Sequence, residues 1–387
     1  MNYEVTATRR RPKNFNEMTG QEFVITTLQK SIETNRIAHA YLFSGPRGVG
    51  KTSTARILAR CLNCEKGPTI SPCGVCSSCV SISNGSSIDV IEIDGASNTS
   101  VNDVRVIRDE VLFAPSSSRY KIYIIDEVHM LSNSAFNALL KTIEEPPPYV
   151  IFIFATTELH KVPATIRSRC QQFPFRLLHM DEIIANLEKA SEELGIVAEK
   201  EALFWIAKEA TGSMRDAYTL FDQISSLSDG KIDLKKIQEK LGLVGVEFIS
   251  TLLNRILTSN HQQVLELVDE VIRKGVSVSQ LVHDLTDFLR AILLLKAGIK
   301  RESLLGYSLE WLNKEEFLNL SLNQVEIALE TLLSLNHRLR DSVNARYELE
   351  LTMVRLCSLP YYLGTEELYQ KINHLKEAIL QLNEKKN

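Results

Sequence analysis

One eight-residue motif constrains this chain more than any other feature. Residues 45–52 are Gly-Pro-Arg-Gly-Val-Gly-Lys-Thr, which has the spacing G-x-x-x-x-G-K-[ST]. The motif follows the short apolar run 40–44 and precedes a helix-like stretch. Glycines let such a loop turn its backbone N–H groups inward, and the start of the next helix adds partial positive charge. The motif therefore predicts a binding site for nucleotide phosphates, with a chance glycine-rich turn as the alternative.

Individual residues of this motif have predicted contacts. Lys51 is predicted to reach the β- and γ-phosphates of ATP, and the Thr52 hydroxyl is predicted to bind Mg²⁺. The other residues predicted to surround the nucleotide are Gly45, Arg47, Gly48, Val49, Gly50 and Ser53.

A pair of carboxylates supports the same interpretation. The apolar run 122–125 ends in Asp126 and Glu127, and ligands bind at the carboxyl ends of parallel strands. Asp126 is expected to hold Mg²⁺, and Glu127 to orient and activate the attacking water. The alternative is that two acidic residues only keep a strand end hydrated.

The rest of the pattern predicts an α/β domain followed by all-α domains. Short apolar runs that are typical of buried parallel strands lie at residues 40–44, 90–93, 121–125 and 150–155. Helix-like stretches alternate with them, at residues 52–61, 101–111 and 134–142. After about residue 178 the apolar residues recur at helical spacing and the strand pattern disappears.

Charge and hydropathy restrict the class of protein. The 387-residue chain has a formal net charge of −4, so no overall basic field indicates nucleic acid. The N-terminus lacks the apolar segment of a signal peptide, and no apolar run is long enough to span a bilayer. We therefore expect a cytoplasmic protein without a membrane partner.

Four of the seven cysteines form a metal-binding pattern. Cys64, Cys73, Cys76 and Cys79 supply four thiolates at short spacing, as structural zinc sites do. A redox switch and an iron–sulfur centre are the alternatives. Cys61 falls outside the pattern and is expected to be a buried or spare thiol.

Several longer segments occur in a characteristic order. They are His-Ala-Tyr-Leu-Phe-Ser-Gly at 39–45, Asp-Glu-Val-His-Met-Leu-Ser at 126–132, Asn-Ala-Leu-Leu-Lys-Thr-Ile-Glu-Glu-Pro-Pro at 137–147, Ala-Thr-Thr at 155–157, Arg-Ser-Arg-Cys at 167–170 and Gly-Ser-Met-Arg-Asp at 212–216. With them the chain resembles the gamma/tau family of bacterial DNA polymerase III, the AAA+ ATPases of the clamp-loader complex.

The resemblance implies roles for three further residues. Thr157, with Thr156 beside it, corresponds to the residue that senses the γ-phosphate. Arg169 corresponds to the finger that enters the ATP site of the adjacent subunit, and Arg215 to the second sensor on the lid. Without the resemblance, Arg169 would be interpreted as a surface ion pair and Arg215 as a helix cap.

The resemblance also implies a domain order and partners. It predicts an AAA+ ATPase domain at residues 1–178, with a zinc module at about 61–82, and a helical lid at 179–243. A helical collar for oligomerisation is predicted at 244–365 and a polar tail at 366–387. The implied partners are the other clamp-loader subunits in a hetero-pentameric ring, the sliding clamp and primer–template DNA. Contacts with the polymerase core and the helicase belong to domains of longer forms and are not expected here. Polymerase activity would come only through membership of the holoenzyme.

The chain departs from the family pattern near its start. Where the family often has an aromatic residue before Arg-Pro, this chain has Arg9-Arg10-Arg11-Pro12, which we expect to be a solvated charge cluster. Arg105 is a candidate DNA contact.

Three rival functions are a DExH helicase, a non-hydrolysing AAA+ adaptor and an initiator-type AAA+ protein. The helicase is considered because residues 126–129 fit the DExH tetrapeptide.

Overall fold

The structure is a computed structural model. It describes residues 5–97, 101–226, 230–233, 245–362, 368–369, 372–373 and 375–376, without the side chains of 101–105 and 303. The chain divides into two compact units, Met1–Ile232 and Asp233–Asn387.

A parallel sheet forms the centre of the first unit. Its strands are β1 Ala40–Ser44, β2 Val90–Asp94, β3 Lys121–Asp126, β4 Val150–Thr156 and β5 Gln171–Pro174. They are hydrogen-bonded in the order β2-β3-β4-β1-β5, and every pairing is parallel. β4 therefore lies between β1 and β3, and the carboxyl ends of all three strands meet at one edge of the sheet.

The central strands are mostly apolar because helices cover both faces of the sheet. Successive side chains of a strand point to opposite faces, so Tyr41 and Phe43 enter one core while Ala40 and Leu42 enter the other. The first core includes residues of the helices Glu22–Glu33 and Lys51–Asn63, and the second includes residues of Asn133–Glu144. Burial on both faces explains why β1 and β4 contain no exposed residue.

Ten helices of the first unit lie among the described residues. They are Thr6–Arg9, Glu22–Glu33, Lys51–Asn63, Ser77–Asn84, Val101–Glu110, Asn133–Glu144, Ala164–Arg167, Met180–Leu194, Lys200–Glu209 and Met214–Ser226. Short 3₁₀ turns lie at Phe15–Glu17, Val128–Met130 and Leu159–Lys161. The last three helices, together with a two-stranded parallel pair, Val197–Ala198 and Lys231–Ile232, form the lid.

The described part of the second unit is helical. Its α-helices are Val246–Leu257, His261–Arg273, Val278–Lys296, Glu302–Leu305, Leu309–Leu312, Glu315–Leu318, Leu322–Leu339 and Ala345–Leu356, and a 3₁₀ turn follows at Leu359–Tyr361. One apolar core joins them, with Phe288, Leu332 and Met353 almost fully buried. Among the described residues of the chain, no helix is both long and apolar enough to cross a membrane.

The predicted fold is confirmed: a parallel-sheet domain of the AAA+ P-loop type, a helical lid and a C-terminal helical region. Two features were missed. β5 has the sequence Gln-Gln-Phe-Pro, in which only Phe173 is buried, so it has no apolar run. The parallel pair in the lid has strands of two residues each, too short to produce a pattern. Most of the predicted tail lies outside the described residues.

Candidate nucleotide and metal sites

A cleft of about 1320 Å³ opens at the carboxyl edge of the sheet in the first unit. Four parts of the chain line it: the N-terminal residues 5–19, the glycine-rich loop, the end of β3, and the lid helices Met180–Leu194 and Met214–Ser226. Its volume is sufficient for a nucleotide, because ligand pockets of small molecules commonly measure about 300–1,000 Å³.

The glycine-rich loop has the backbone that phosphate binding requires. Gly45, Gly48 and Gly50 have φ values of +143°, +74° and +101°, which side chains disfavour. Gly50 directly precedes the helix Lys51–Asn63, so the N-terminus of this helix lies at the cleft. Lys51 Nζ donates to the carbonyl oxygens of Gly45 and Pro46, each at 2.7 Å. Burial lowers the pKa of Lys51, although the nearby Glu127 and Asp126 oppose this shift.

The predicted magnesium ligands lie side by side. Thr52 Oγ1 donates to Asp126 Oδ2 at 2.6 Å, although the two residues are 74 positions apart. A hydroxyl and a carboxylate oxygen are the hard ligands that Mg²⁺ takes, usually together with waters and phosphate oxygens. The donor set at this point therefore fits Mg²⁺.

Glu127 has an unusual backbone and a fixed side chain. Its φ is +44°, a region that non-glycine residues rarely occupy and that is often found at functional sites. Its Oε2 accepts hydrogen bonds from Thr157 N at 3.2 Å and Thr157 Oγ1 at 2.9 Å. The structure thus joins two residues that the sequence analysis had selected separately.

Arg215 lies in the first turn of the lid helix Met214–Ser226 and lines the cleft. The preceding Ser213 lies directly against the glycine-rich loop, since a Cβ atom built on Gly48 would overlap Ser213 Oγ and lie 3.3 Å from Arg215 Cβ. The lid and the glycine-rich loop therefore lie in contact at Gly48, where there is no room for a side chain.

We expect Gly48→Ala to raise the Kd for ATP by about tenfold or more, equivalent to about 1.4 kcal/mol. The new methyl group would push Ser213 and Arg215 away from the loop and strain a φ of +74°. Gly85→Ala is the matched control, because Gly85 has a φ of +68° but nothing within 4 Å of the added Cβ. The control should lose about 1–2 kcal/mol of stability and bind ATP normally. Equal Kd values for both variants, measured by titration with a fluorescent ATP analogue, would contradict the prediction.

Arg9 is exposed, as expected for a solvated charge, but the expectation was wrong for Arg10 and Arg11. The Arg10 side chain is only 14% exposed and lies 3.6 Å from Glu193, with its guanidinium 5.9 Å from the centre of the Tyr218 ring. Arg11 Nε donates to Ser53 Oγ at 3.2 Å, and burial lowers the pKa of Arg11. Glu193 and Tyr218 of the lid contact Arg10, and Ser53 of the helix after the loop contacts Arg11, which the charge pattern alone could not indicate.

The N-terminal arm, residues 5–13, is attached to the lid and to the helix that follows the glycine-rich loop. Thr6 N donates to Asp222 Oδ2 at 2.6 Å, and Thr6 Oγ1 donates to the other carboxylate oxygen. Arg60 Nη1 donates to the carbonyl oxygen of Lys13 at 2.6 Å. Thr6, Asp222 and Tyr218 could not be found from the sequence, since none belongs to a local motif.

Arg169 does not line the cleft of its own chain. Its Nη2 pairs with Glu144 Oε1 at 2.6 Å, and its Nη1 donates to the carbonyl oxygen of Thr165 at 2.7 Å. The side chain is 36% exposed. Within one chain it therefore forms the surface ion pair that was the alternative interpretation, and it remains accessible to a neighbouring molecule. The Arg105 side chain lies outside the described residues.

The four predicted cysteines converge. Their sulfur atoms all lie within 4.8 Å of one another. Cys64 follows the helix Lys51–Asn63, and Cys76 precedes the helix Ser77–Asn84, so two helix ends hold the cluster. The N–H groups of Cys73, Cys76 and Cys79 each donate to a cysteine sulfur at 3.4 Å, which favours thiolates. In a tetrahedral zinc site with Zn–S of 2.3 Å, sulfurs are about 3.8 Å apart. The donor set therefore fits zinc.

Cys61 is not part of this cluster. It is fully buried, and burial raises the pKa of its thiol to about 12.

We expect protein purified without added metal to contain about one equivalent of zinc per chain. Cys76→Ser should lower the zinc content below about half an equivalent and lower the melting temperature, because three thiolates bind the ion less tightly. Cys357→Ala is the control, since this buried cysteine lies in the second unit. Metal analysis that finds no zinc in the wild-type protein would exclude the site.

Three family models together cover most of the chain. Residues 20–179 match the model described as DNA polymerase III, delta subunit. Residues 182–230 match the DNA polymerase III clamp loader subunit, ATPase lid domain, and residues 232–372 match DNA polymerase III subunits gamma and tau domain III.

Curated relatives agree with these models. DNA polymerase III subunit gamma of Buchnera aphidicola subsp. Schizaphis graminum is 40% identical over 297 residues, which is 77% of this chain and 82% of that protein. The chain belongs to the DNA polymerase III gamma/tau family. Subunit tau of Bacillus subtilis is 45% identical over 79% of this chain, and subunit tau of Escherichia coli is 39% identical over 92%. The chain spans about half the length of these tau relatives, 54% and 55% respectively.

Solved structures show only a distant likeness. The Holliday junction branch migration motor RuvB of Thermotoga maritima superposes with a TM-score of 0.46 at 22% identity, over 64% of this chain and 79% of that one. The assignment to the gamma/tau family rests on the sequence relatives.

Proposed function

We propose that this chain is an ATP-hydrolysing motor subunit of a clamp-loader complex. The observation that supports this best is the cleft itself: Lys51, the Thr52–Asp126 pair and the Glu127–Thr157 pair meet beneath a lid that carries Arg215. Such a set provides everything that phosphoryl transfer from ATP to water requires within one subunit, because this reaction depends on positioning and on charge stabilisation.

The roles of these residues follow from their chemistry. The loop N–H groups and Lys51 bind the phosphates, and Thr52 and Asp126 hold Mg²⁺, which neutralises charge on the phosphate oxygens when bound. Glu127 orients the attacking water and accepts its proton. Thr157 donates a hydrogen bond to the Glu127 carboxylate, and in this proposal it senses the γ-phosphate. Arg215 adds positive charge from the lid.

The remaining positive charge at the ATP site comes from a neighbouring subunit of the assembly. Arg169 is exposed and lies away from its own cleft, so we propose that it acts on the ATP bound to a neighbouring subunit. Such a finger makes hydrolysis depend on assembly. In this proposal a hetero-pentameric ring of loader subunits opens a sliding clamp and places it on primer–template DNA.

We propose the domain boundaries given above for these tasks: the ATPase domain at 1–178, the lid at 179–243, the collar at 244–365 and a polar tail at 366–387. The cysteine cluster is a closed structural zinc site, because all four ligands come from the protein. A cytoplasmic location follows from the role. Any part in DNA synthesis comes through membership of the polymerase holoenzyme.

The rival functions have less support. A DExH helicase needs a second motor domain with its own sheet, and the residues described after 178 contain helices and one pair of two-residue strands. A non-hydrolysing adaptor has no use for a complete phosphate loop with Glu127 in place. Unwinding of a forked duplex by the purified chain would favour the helicase.

The deciding experiment measures ATP hydrolysis by the full chain, first alone and then with partner loader subunits, sliding clamp and primed DNA. The proposal predicts a strong increase in rate that requires the complete mixture. Each component is omitted in turn as a control. A rate that is indifferent to the clamp, the DNA and the partners would overturn the clamp-loader proposal and leave only a general ATPase.

A further inference from the structure

His129 is a buried histidine next to the proposed catalytic carboxylate. It belongs to the turn Val128–Met130, and only 5% of its side chain is exposed. Its Nδ1 lies 3.0 Å from Thr156 Oγ1, and its Nε2 lies 3.3 Å from Glu158 Oε1. The imidazole thus connects the acidic turn after β3 with the end of β4.

The hydrogen bonds around this histidine form a closed ring. Glu158 N donates to Thr156 Oγ1 at 3.0 Å, and the same hydroxyl lies 3.0 Å from His129 Nδ1. The Nδ1 side of the imidazole therefore faces Thr156 and Glu127, and its Nε2 side faces Glu158. Lys161 Nζ lies 2.9 Å from Glu158 and lowers the pKa of this carboxyl, so Glu158 remains an ionised acceptor. His160 approaches the same carboxylate at 3.6 Å from the solvent side.

This ring lies directly beside Glu127. His129 Nδ1 is 3.4 Å from Glu127 Oε2, the same oxygen that accepts both hydrogen bonds from Thr157. Glu127 has a left-handed backbone with φ of +44°, so its side-chain direction depends on these neighbours. A carboxylate that activates water must be held within a small distance of its productive position.

We propose that His129 is a positioning residue for Glu127: it fixes the acidic turn to the end of β4 and links the Glu127 carboxylate to Glu158. Glu158 begins the segment that leads through Ala164–Arg167 to Arg169. The link therefore connects the water-activating side of one ATP site with the segment that presents the finger to the next. This inference rests on the proposed ATPase function.

The test compares three variants of the full chain. His129→Ala should lower kcat for ATP hydrolysis by about tenfold or more, because a misplacement near 1 Å can cost about a hundredfold in rate. The Kd for ATP should stay within about twofold, because the imidazole does not line the cleft. His129→Asn should recover part of kcat, since its amide can retain the contact with Thr156. His160→Ala removes a histidine whose side chain is 76% exposed and should behave as wild type.

A second comparison tests the link to Glu158. If the two residues act as one unit, Glu158→Gln should lower kcat, and the double variant should be no slower than His129→Ala. A wild-type kcat for His129→Ala, or a fall in kcat matched by equal losses of ATP affinity and melting temperature, would overturn the inference. Absence of hydrolysis in the wild-type chain would instead refute the proposed ATPase function, and the inference with it.

Discussion

Arg169→Ala is expected to lower the ATPase rate of the assembled loader by about a thousandfold, because an arginine finger supplied in trans is worth about 10³–10⁵ in rate. Hydrolysis spreads negative charge over the γ-phosphate oxygens, and a guanidinium from the neighbouring subunit compensates it. Arg169 lies outside its own cleft, so ATP binding by each chain should persist. The measurement is steady-state hydrolysis with partners, clamp and primed DNA, together with a separate titration of ATP binding.

Two variants control for loss of charge and of the ion pair. Arg273→Ala removes an arginine whose side chain is 78% exposed in the second unit and should hydrolyse ATP normally. Glu144→Gln removes the partner of Arg169; both groups are substantially exposed, so their pairing contributes only about 0–1 kcal/mol. If Arg169→Ala hydrolysed ATP like Arg273→Ala in the full assembly, the finger role would be wrong.

Glu127→Gln should abolish most hydrolysis while leaving ATP binding intact. General-base catalysis contributes about 10²–10⁴ in rate, and an amide cannot accept the proton of the attacking water. The Gln carbonyl can still accept the hydrogen bonds from Thr157, so the local structure should survive. Single-turnover hydrolysis and ATP titration, measured on the same sample, separate the two effects.

The contrasting variant is Lys51→Ala, which should lose ATP binding itself because Lys51 is proposed to bind the phosphates. Glu201→Gln, an exposed carboxylate of the lid, makes the same chemical change away from the cleft and should have no effect. A Glu127→Gln variant that hydrolysed ATP at the wild-type rate would require another base.

Local patterns predicted most of the parallel-sheet domain. β1 was predicted with its observed bounds, because Ala40–Ser44 is buried on both faces and is apolar up to its last residue. The glycine-rich loop, Asp126 and Glu127 were predicted because ligands bind at the carboxyl ends of parallel strands, and all three lie at such ends. Edge strand β5 escaped prediction because one buried residue, Phe173, produces no pattern.

Contacts between distant segments could not be predicted in this way. Thr6 and Asp222 are 216 positions apart, and neither residue type indicates a partner. Arg10 and Arg11 were expected to be solvated because the charge pattern does not show that Arg10 lies against the lid and that Arg11 is buried beside Ser53. The sequence pattern gave His129 no role beyond being the last residue of a tetrapeptide motif. Its contact with Thr156 at the end of β4 is visible only in the folded chain.

The attachment of the N-terminal arm limits how far the cleft can open. Thr6 is anchored to the lid helix, and Arg11 is anchored to Ser53 on the helix after the loop. Five Cα–Cα steps separate these anchors, and a fully extended backbone of that length spans at most about 18 Å. Since residues Thr6–Arg9 are helical, the actual tether is shorter. At the proposed ATP site, exchange of nucleotide would therefore occur through a gap of bounded width, unless the Thr6–Asp222 latch is first released.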